Sequence, residues 1–406
     1  MTIKAGSIER SIKLYGLFNI LSSAYFWTPV FILYFSQTVP LRQVFFLEAV
    51  YYLSVFAFEI PSGYFSDRIG RKATLLLASV FFMSSYMLFF IGGSFAVLAA
   101  AEVLLAAGFA FVSGTDTSLH WSLLEAAGRS GEYGQREASL ASKAFIVTAA
   151  ASITGGLIAT AGEYRLAYLL SFAFAAVNLL VLLFISETAT AESSKGTEKP
   201  GKQLKTVFKA ASGRNLRWFF SFAVLITVIN HVPYEFFQIY IRDFLEGIAP
   251  SGNNPALTPL FTGIHSAAAM ITASFFASRF ALRLKKGGAK GLSDRTVLLS
   301  LMLVQLILIA ALQFRGYLPV VILLLARSIP SALSAPIIRS ETAPHLPPSH
   351  MATYFSVQSF CGRLAFALSL VIFGLLPGDG YHSALTAALV IAAASFIGLT
   401  AWARRR

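Results

Sequence analysis

The sequence predicts an all-α membrane protein with twelve transmembrane helices arranged as two pseudo-symmetric six-helix bundles. Three observations point there. Of 406 residues, 56% are hydrophobic and only 13% charged, with 37 Phe, whereas soluble domains carry about 25% charged residues. The apolar residues fall into runs near the roughly 20 residues a helix needs to cross the hydrocarbon core. Lys and Arg fall almost entirely on one side of those runs.

The predicted spans are 14–36, 43–65, 73–92, 95–118, 139–161, 165–186, 216–241, 258–281, 296–314, 317–338, 351–375 and 382–403. Basic residues precede the first run, but no small-residue cleavage site follows and the run continues past Leu33. It is therefore expected to be a first span, not a removed leader. Pro233 is expected to break the seventh span and free carbonyls toward a cavity. A polar stretch, 187–215, divides the spans six and six and reads as a linker. The expected organisation is thus a bundle over 1–186, a cytoplasmic linker over 187–215 and a second bundle over 216–406. In the linker Leu204, Val207, Phe208 and Ala211 share one helical face opposite lysines. An amphipathic helix on the inner leaflet accounts for this, as does a solvated helix.

An even number of spans puts both termini on one side. If that side is the cytoplasm, 26 Lys and Arg lie inside, 4 outside, and Arg327 and Arg363 within spans. Basic residues concentrate in cytoplasmic loops, so this orientation is the expected one. It also accounts for the net charge of +13 without nucleic acid. The lone cysteine, Cys361, permits no intrachain disulfide.

Between the second and third spans the chain reads FEIPSGYFSDRIGRKATLL. Gly63 suits close helix approach, Asp67 suits a helix cap or an ion pair, and Arg68, Gly70, Arg71 and Lys72 form a cationic turn at the inner surface. In this loop and among twelve spans, the string resembles the G-x-x-x-D-R-x-G-R-K signature of the major facilitator superfamily, a likeness covering the whole chain. The resemblance implies alternating access between two six-helix halves, with the motif as a gate element and not a substrate site. It also implies a monomer, with spans 3, 6, 9 and 12 toward lipid. The segment FEIPSG resembles drug-exporter-like members. Internal repetition agrees with two halves: Ala138-Ser139-Leu140-Ala141-Ser142 and Ala352-Thr353-Tyr354-Phe355-Ser356 both read A-[ST]-x-x-S near the start of spans 5 and 11. Two departures count against classical proton antiport. Glu102 stands where relatives carry an Arg in span 4, and around Gly155-Gly156 the fuller glycine-proline antiporter pattern is missing.

Ionisable groups inside a bilayer are costly and mark a pathway or a pair. Spans 3, 6, 9 and 12 have none in their interiors, in keeping with the resemblance. Glu102, His231, Glu235 and Asp116 are candidates for proton coupling; a packing or hydrogen-bonding role is the alternative for each, and an inner-gate role for Asp116. Tyr25, Trp27, Tyr52, Asn230, His265, Arg327, Gln358 and Arg363 are candidates for the substrate cavity. Arg327 and Arg363 suit either an anionic substrate or ion pairs that lock one conformational state. No P-loop, H-E-x-x-H, G-x-S-x-G or Cys-His set occurs, so neither an enzyme, a metal site nor a cofactor is expected. The expected partners are a small-molecule solute, protons and membrane lipid. The leading expectation is a secondary active transporter in the cytoplasmic membrane, exporting an amphipathic compound against proton entry. An organic-anion transporter using Arg327 and Arg363 is one alternative, and a non-transporting membrane sensor another.

Overall fold

A computed structural model describes residues 5–186, 213–248, 254–285, 293–342, 345, 348–378 and 380–404. These are mostly helical, with no strand among the described residues. The elements are α1 (Ala5–Ser22), α2 (Phe31–Thr38), α3 (Leu41–Ile69), α4 (Arg71–Ile91), α5 (Phe95–Val112), α6 (Thr115–Ala126), α7 (Tyr133–Ala159) and α8 (Arg165–Leu183). They continue with α9 (Arg214–Ile248), α10 (Asn254–Lys285), α11 (Asp294–Ala311), α12 (Leu318–Leu323), α13 (Ile329–Thr342), α14 (Pro348–Leu375) and α15 (Tyr381–Arg404). Eleven stretches are long and apolar enough to cross a membrane as continuous spans, and α1 with α2 supplies the twelfth in two pieces. The linker and its amphipathic segment lie outside the described residues.

The first span is not the continuous helix over 14–36 that its apolar run suggests. α1 ends at Ser22, residues 23–30 turn, and α2 begins at Phe31. Pro29 lacks an N–H and disfavours helical geometry at Thr28. Ser22 and Ser23 donate back to the carbonyls of Phe18 (2.7 Å) and Asn19 (2.9 Å). Backbone outside a helix must find partners in a bilayer, and α7 provides one: the Thr148 hydroxyl is shared between the Ser23 carbonyl at 2.8 Å and the Ala144 carbonyl of its own helix at 2.9 Å. Gly155 of α7 comes against the Phe26 carbonyl, where a Cβ would collide.

The fourth span bends where Gly114, at φ 76°, separates α5 from α6. In the tenth, a 3-10 turn over Leu324–Ala326 lies between α12 and α13. Pro233 does the opposite of what its chemistry suggests, since α9 runs unbroken through it for 35 residues. A proline removes one i→i−4 bond, and the many remaining bonds of so long a helix keep the backbone helical.

The chain divides into two compact units, residues 1–195 with 256–267, and residues 196–255 with 268–406. In the first, α1 packs on α7 and α8, and α4 on α5 and α8. In the second, α9 packs on α14 and α15, and α11 on α15. Counted as spans, the pairs 1–5, 1–6 and 3–6 of the first unit recur as 7–11, 7–12 and 9–12 in the second. These three pairings are therefore present in both units. Buried aromatics such as Tyr15, Tyr168, Trp218 and Tyr354 fill the interiors, while Ile146, Leu180, Ile271, Leu375 and Ile397 are exposed. Lipid is the solvent in which such exposure is favourable.

Candidate functional site

The signature loop turns at Gly70, whose φ of 103° suits a residue without a Cβ. From the start of α4, Arg71 Nη1 donates to the Ser118 carbonyl on α6 at 2.9 Å, and Lys72 Nζ to the Leu183 carbonyl at 2.8 Å. Leu183 is the last residue of α8, so Lys72 meets the negative end of a helix dipole. The two cations therefore fasten α4 to α6 and α8. Arg68 is exposed. A Cβ at Gly63 would touch nothing within 4 Å, so this glycine makes no close approach. The Asp67 side chain lies outside the described part of the structure.

Nearby, Arg129 Nη1 donates to both carboxylate oxygens of Glu9 (2.8 and 2.9 Å), and Nε and Nη2 donate to Glu132 (2.7 Å each). Glu132, with Glu9, holds the Arg129 guanidinium above its already high ordinary basicity. The buried His120 pairs with Glu137 and stacks on Tyr15, centroids 4.4 Å apart. Its neighbour on α6, Asp116, is half-buried, and its Oδ1 accepts the Thr117 N–H at 2.7 Å.

Two further features of the first unit concern the candidates. Tyr25, from the break in the first span, lines a cavity of about 50 Å³ with Tyr86, Phe109 and Asn178. Trp27 is not part of that lining; its ring stacks on Tyr168 at 6.3 Å and 10°. Tyr52 packs edge-on against Tyr51. Glu102 on α5 is 3% exposed and Glu48 on α3 is 5% exposed, and each lies within the other's electrostatic reach. His265 is buried in the stretch of α10 that belongs to this unit.

The second unit holds a cavity of about 290 Å³ walled by three helices. From α9 come Thr227, Asn230 and His231, from α13 Ser331, Ser334 and Arg339, and from α14 Phe355, Gln358 and Ser359. Three sequence candidates, Asn230, His231 and Gln358, thus meet in one place. His231 Nδ1 donates to the Thr227 carbonyl at 2.6 Å, and its ring lies 4.7 Å from that of Phe366. Asn230 Oδ1 accepts from Gln305 Nε2 at 2.8 Å, which leaves the Asn230 amide N–H groups for other partners. Gln358 Oε1 is buried with no hydrogen-bond partner among the described residues.

Arg327, Glu235 and Arg363 are not among the lining residues. Arg327 is 5% exposed, donates from Nη1 to the Leu324 carbonyl at 3.1 Å, and lies 4.0 Å from the centre of the Phe237 ring. Those contacts hold the guanidinium against the 3-10 turn of its own span. Glu235 is buried on α9 and Arg363 is half-buried, within electrostatic reach of His231. Sequence reasoning missed Thr227, Ser331 and Ser334, although a signal for them exists. Residues 227, 230 and 231, residues 331, 334, 335 and 338, and residues 355, 358 and 359 each follow helical i, i+3, i+4 spacing, which puts each set on one helix face.

The sequence profile described as Major Facilitator Superfamily matches residues 14–370. A protein of Bacillus subtilis (strain 168), described as the uncharacterized MFS-type transporter YxaM, is 25% identical over 359 residues, covering 86% of this chain and 84% of its own. Among solved structures, the nucleoside transporter NupG superposes with a TM-score of 0.77 at 11% identity, over 98% of this chain and 99% of its own. The peptide transporter POT bound to alafosfalin gives 0.68 at 14% identity, over 97% and 94%. A D-xylose-proton symporter gives 0.61 at 14%, over 97% of each chain. The profile spans most of the sequence, so this chain is a multi-pass membrane transporter that belongs to the Major Facilitator Superfamily.

Proposed function

We propose that this transporter exports an amphipathic organic compound across the cytoplasmic membrane, driven by proton entry, with both termini in the cytoplasm. It works as a monomer, by alternating access of its two halves. The 26-to-4 distribution of basic residues supports the orientation. The observation that carries the coupling is the pair of buried acids, Glu48 and Glu102, in the first unit. Charge in a membrane interior is costly unless it has work to do. The second-unit cavity supports an amphipathic solute: Phe355 and Ile338 offer apolar surface beside the polar ends of Asn230, His231 and Gln358.

The contacts of Arg327 weigh against the organic-anion reading. One Nη1–H goes to the Leu324 carbonyl and one face to the Phe237 ring, and the side chain does not line the second-unit cavity. In this reading Arg71 and Lys72 act in the gate, Asn230, His231 and Gln358 hold solute, and Glu102 carries the coupling proton.

The test is a thermal-stability screen of purified protein against lipophilic cations, neutral amphiphiles and organic anions at two pH values. Ligand at one hundred times its Kd raises stability by about 2.7 kcal/mol. The expected result is stabilisation by cations or neutral amphiphiles that Gln358→Ala abolishes and Glu102→Gln makes independent of pH. Stabilisation by anions alone, lost in Arg363→Ala, would overturn the proposal.

A further inference from the structure

In the second unit α11 begins where α15 ends, and the two helices pack together. Between those ends lies a cavity of about 460 Å³, which shares no lining residue with the solute cavity. Arg295, Leu299 and Leu303 of α11 line it, with Phe396, Thr400 and Arg404 of α15. Each set has i, i+4, i+8 spacing, so each forms one stripe along its helix. At 1.5 Å per residue, each stripe runs about 12 Å inward from its arginine, to Leu303 or to Phe396. The cavity therefore has a cationic mouth and an apolar inner end. A glycerophospholipid has the matching polarity, with phosphate at the membrane surface and chains beneath it.

The charge of the mouth belongs to the arginines. No acid is among the lining residues. Asp294, beside Arg295 in sequence, is engaged with Glu341 of α13. The helix dipoles offset each other, because one helix starts where the other ends. Ser300 and Thr400 donate back to the Thr296 and Phe396 carbonyls (2.9 and 2.7 Å), which spends their hydrogens within their own helices. The guanidiniums are thus the strong donors of the mouth.

A second observation concerns how Arg295 is held. Its guanidinium carbon lies 5.1 Å from the centre of the Trp218 ring and 5.7 Å from that of Phe219, both on α9. Trp218 is fully buried, and its Nε1 donates to the Leu399 carbonyl of α15 at 3.1 Å. The platform under Arg295 is therefore fastened to the helix that carries Arg404. An arginine stacked on an aromatic face presents its planar edge for bidentate contact with phosphate oxygens.

The surroundings point to the source of the phosphate. Leu303, Val304 and Ile307 of α11 and Ile397 of α15 are exposed, so these helices meet the hydrocarbon core along their outer faces. A basic pocket between such helices suits an anionic lipid headgroup.

We propose that this cavity binds one anionic glycerophospholipid, its phosphate held between Arg295 and Arg404 and a chain lying along Leu299, Leu303 and Phe396. The site is independent of the export reading. The proposed orientation decides only that the lipid comes from the inner leaflet.

The test is native mass spectrometry of the purified full-length protein titrated with phosphatidylglycerol, phosphatidylcholine or inorganic phosphate. One phosphatidylglycerol should bind ahead of any others and more tightly than phosphatidylcholine, and inorganic phosphate should neither bind nor compete. Arg295→Gln and Arg404→Gln should each weaken that first step about five-fold or more, the effect of one basic residue at an anionic lipid surface. Arg404 is exposed at the helix end, so its variant reports on the site even if Arg295→Gln loosens the Trp218 platform. Arg279→Gln, at an exposed arginine of α10 outside the lining, should leave the affinity unchanged.

Equal affinity for phosphatidylcholine, or binding that neither arginine variant weakens, would overturn the site. An equal loss in Arg279→Gln would do the same, since the attraction would then be that of the basic surface as a whole. So would retention of phosphate alone, or of a second copy of the chain in place of lipid.

Discussion

Gln358 illustrates what a single side chain can cost and supply. Its Oε1 is buried without a partner among the described residues, and its residue lines the second-unit cavity. An unsatisfied buried polar atom costs about 1–3 kcal/mol, while an apolar replacement of similar shape removes that cost. Gln358→Leu is therefore expected to raise the unfolding temperature of the solute-free protein and to abolish stabilisation by any solute that binds there. Such a trade of stability for function is common where a site is held ready for a ligand. Differential scanning fluorimetry with and without solute reads both effects; a variant less stable than wild type and still stabilised by solute would refute the assignment. Asn230, His231 and Gln358 were legible in the sequence because polar residues within apolar spans stand out. Arg327 was legible as an anomaly but not in its role. No sequence pattern shows that the Leu324 carbonyl and the Phe237 ring receive it. Glu48 was visible as a charge within span 2, but its relation to Glu102 depends on how α3 lies against α5, which periodicity does not report.

At the scale of elements, the broken first span and the unbroken α9 show where local signals mislead. Both contain a proline. Ahead of Pro29 the helix stops at Ser22, where the neighbouring serines donate back to α1 and Thr148 of α7 donates to the exposed Ser23 carbonyl. At Pro233 the helix continues. The difference lies in tertiary partners, so hydropathy could count twelve spans without locating the interruption. Thr148→Val removes the hydroxyl that serves the Ser23 carbonyl, and should lower stability by about 1–3 kcal/mol; Thr148→Ser keeps the hydroxyl and should restore most of it. Equal losses in the two variants, measured by thermal unfolding, would show that the bond carries no weight. A second tie at this scale is Arg129, which joins the start of α1 through Glu9 to the turn before α7 through Glu132. Because the acids raise the basicity of Arg129, its charge persists through the alkaline range. The tie is therefore lost only on the acid side, as carboxylates take up protons. Hydrogen exchange of the amides around 130–136 should speed up in Arg129→Ala at neutral pH, and in the wild type on acidification; exchange unchanged in both would exclude this role.

For the whole molecule, the strongest statement comes from charge. Twelve spans require both termini on one side, and 26 basic residues against 4 choose which side. The proposed orientation would put the loop between α6 and α7 in the cytoplasm and the loop between α7 and α8 outside. In that orientation Glu48 and Glu102, about 10 Å below the starts of α3 and α5, would lie in the outer half of the bundle, on the side from which protons enter in the proposed scheme. The orientation is open to a direct measurement because the chain has one cysteine, Cys361. In a Cys361→Ser background, Glu163→Cys and Gly131→Cys put single thiols at exposed positions in those two loops. A membrane-impermeant maleimide added to intact cells should label position 163 and spare position 131. Permeabilised cells should label both. The reverse pattern would invert the molecule and put the acid pair on the cytoplasmic side. Proton entry from outside would then have to reach it across most of the bilayer, and the coupling scheme for export would fail with the topology.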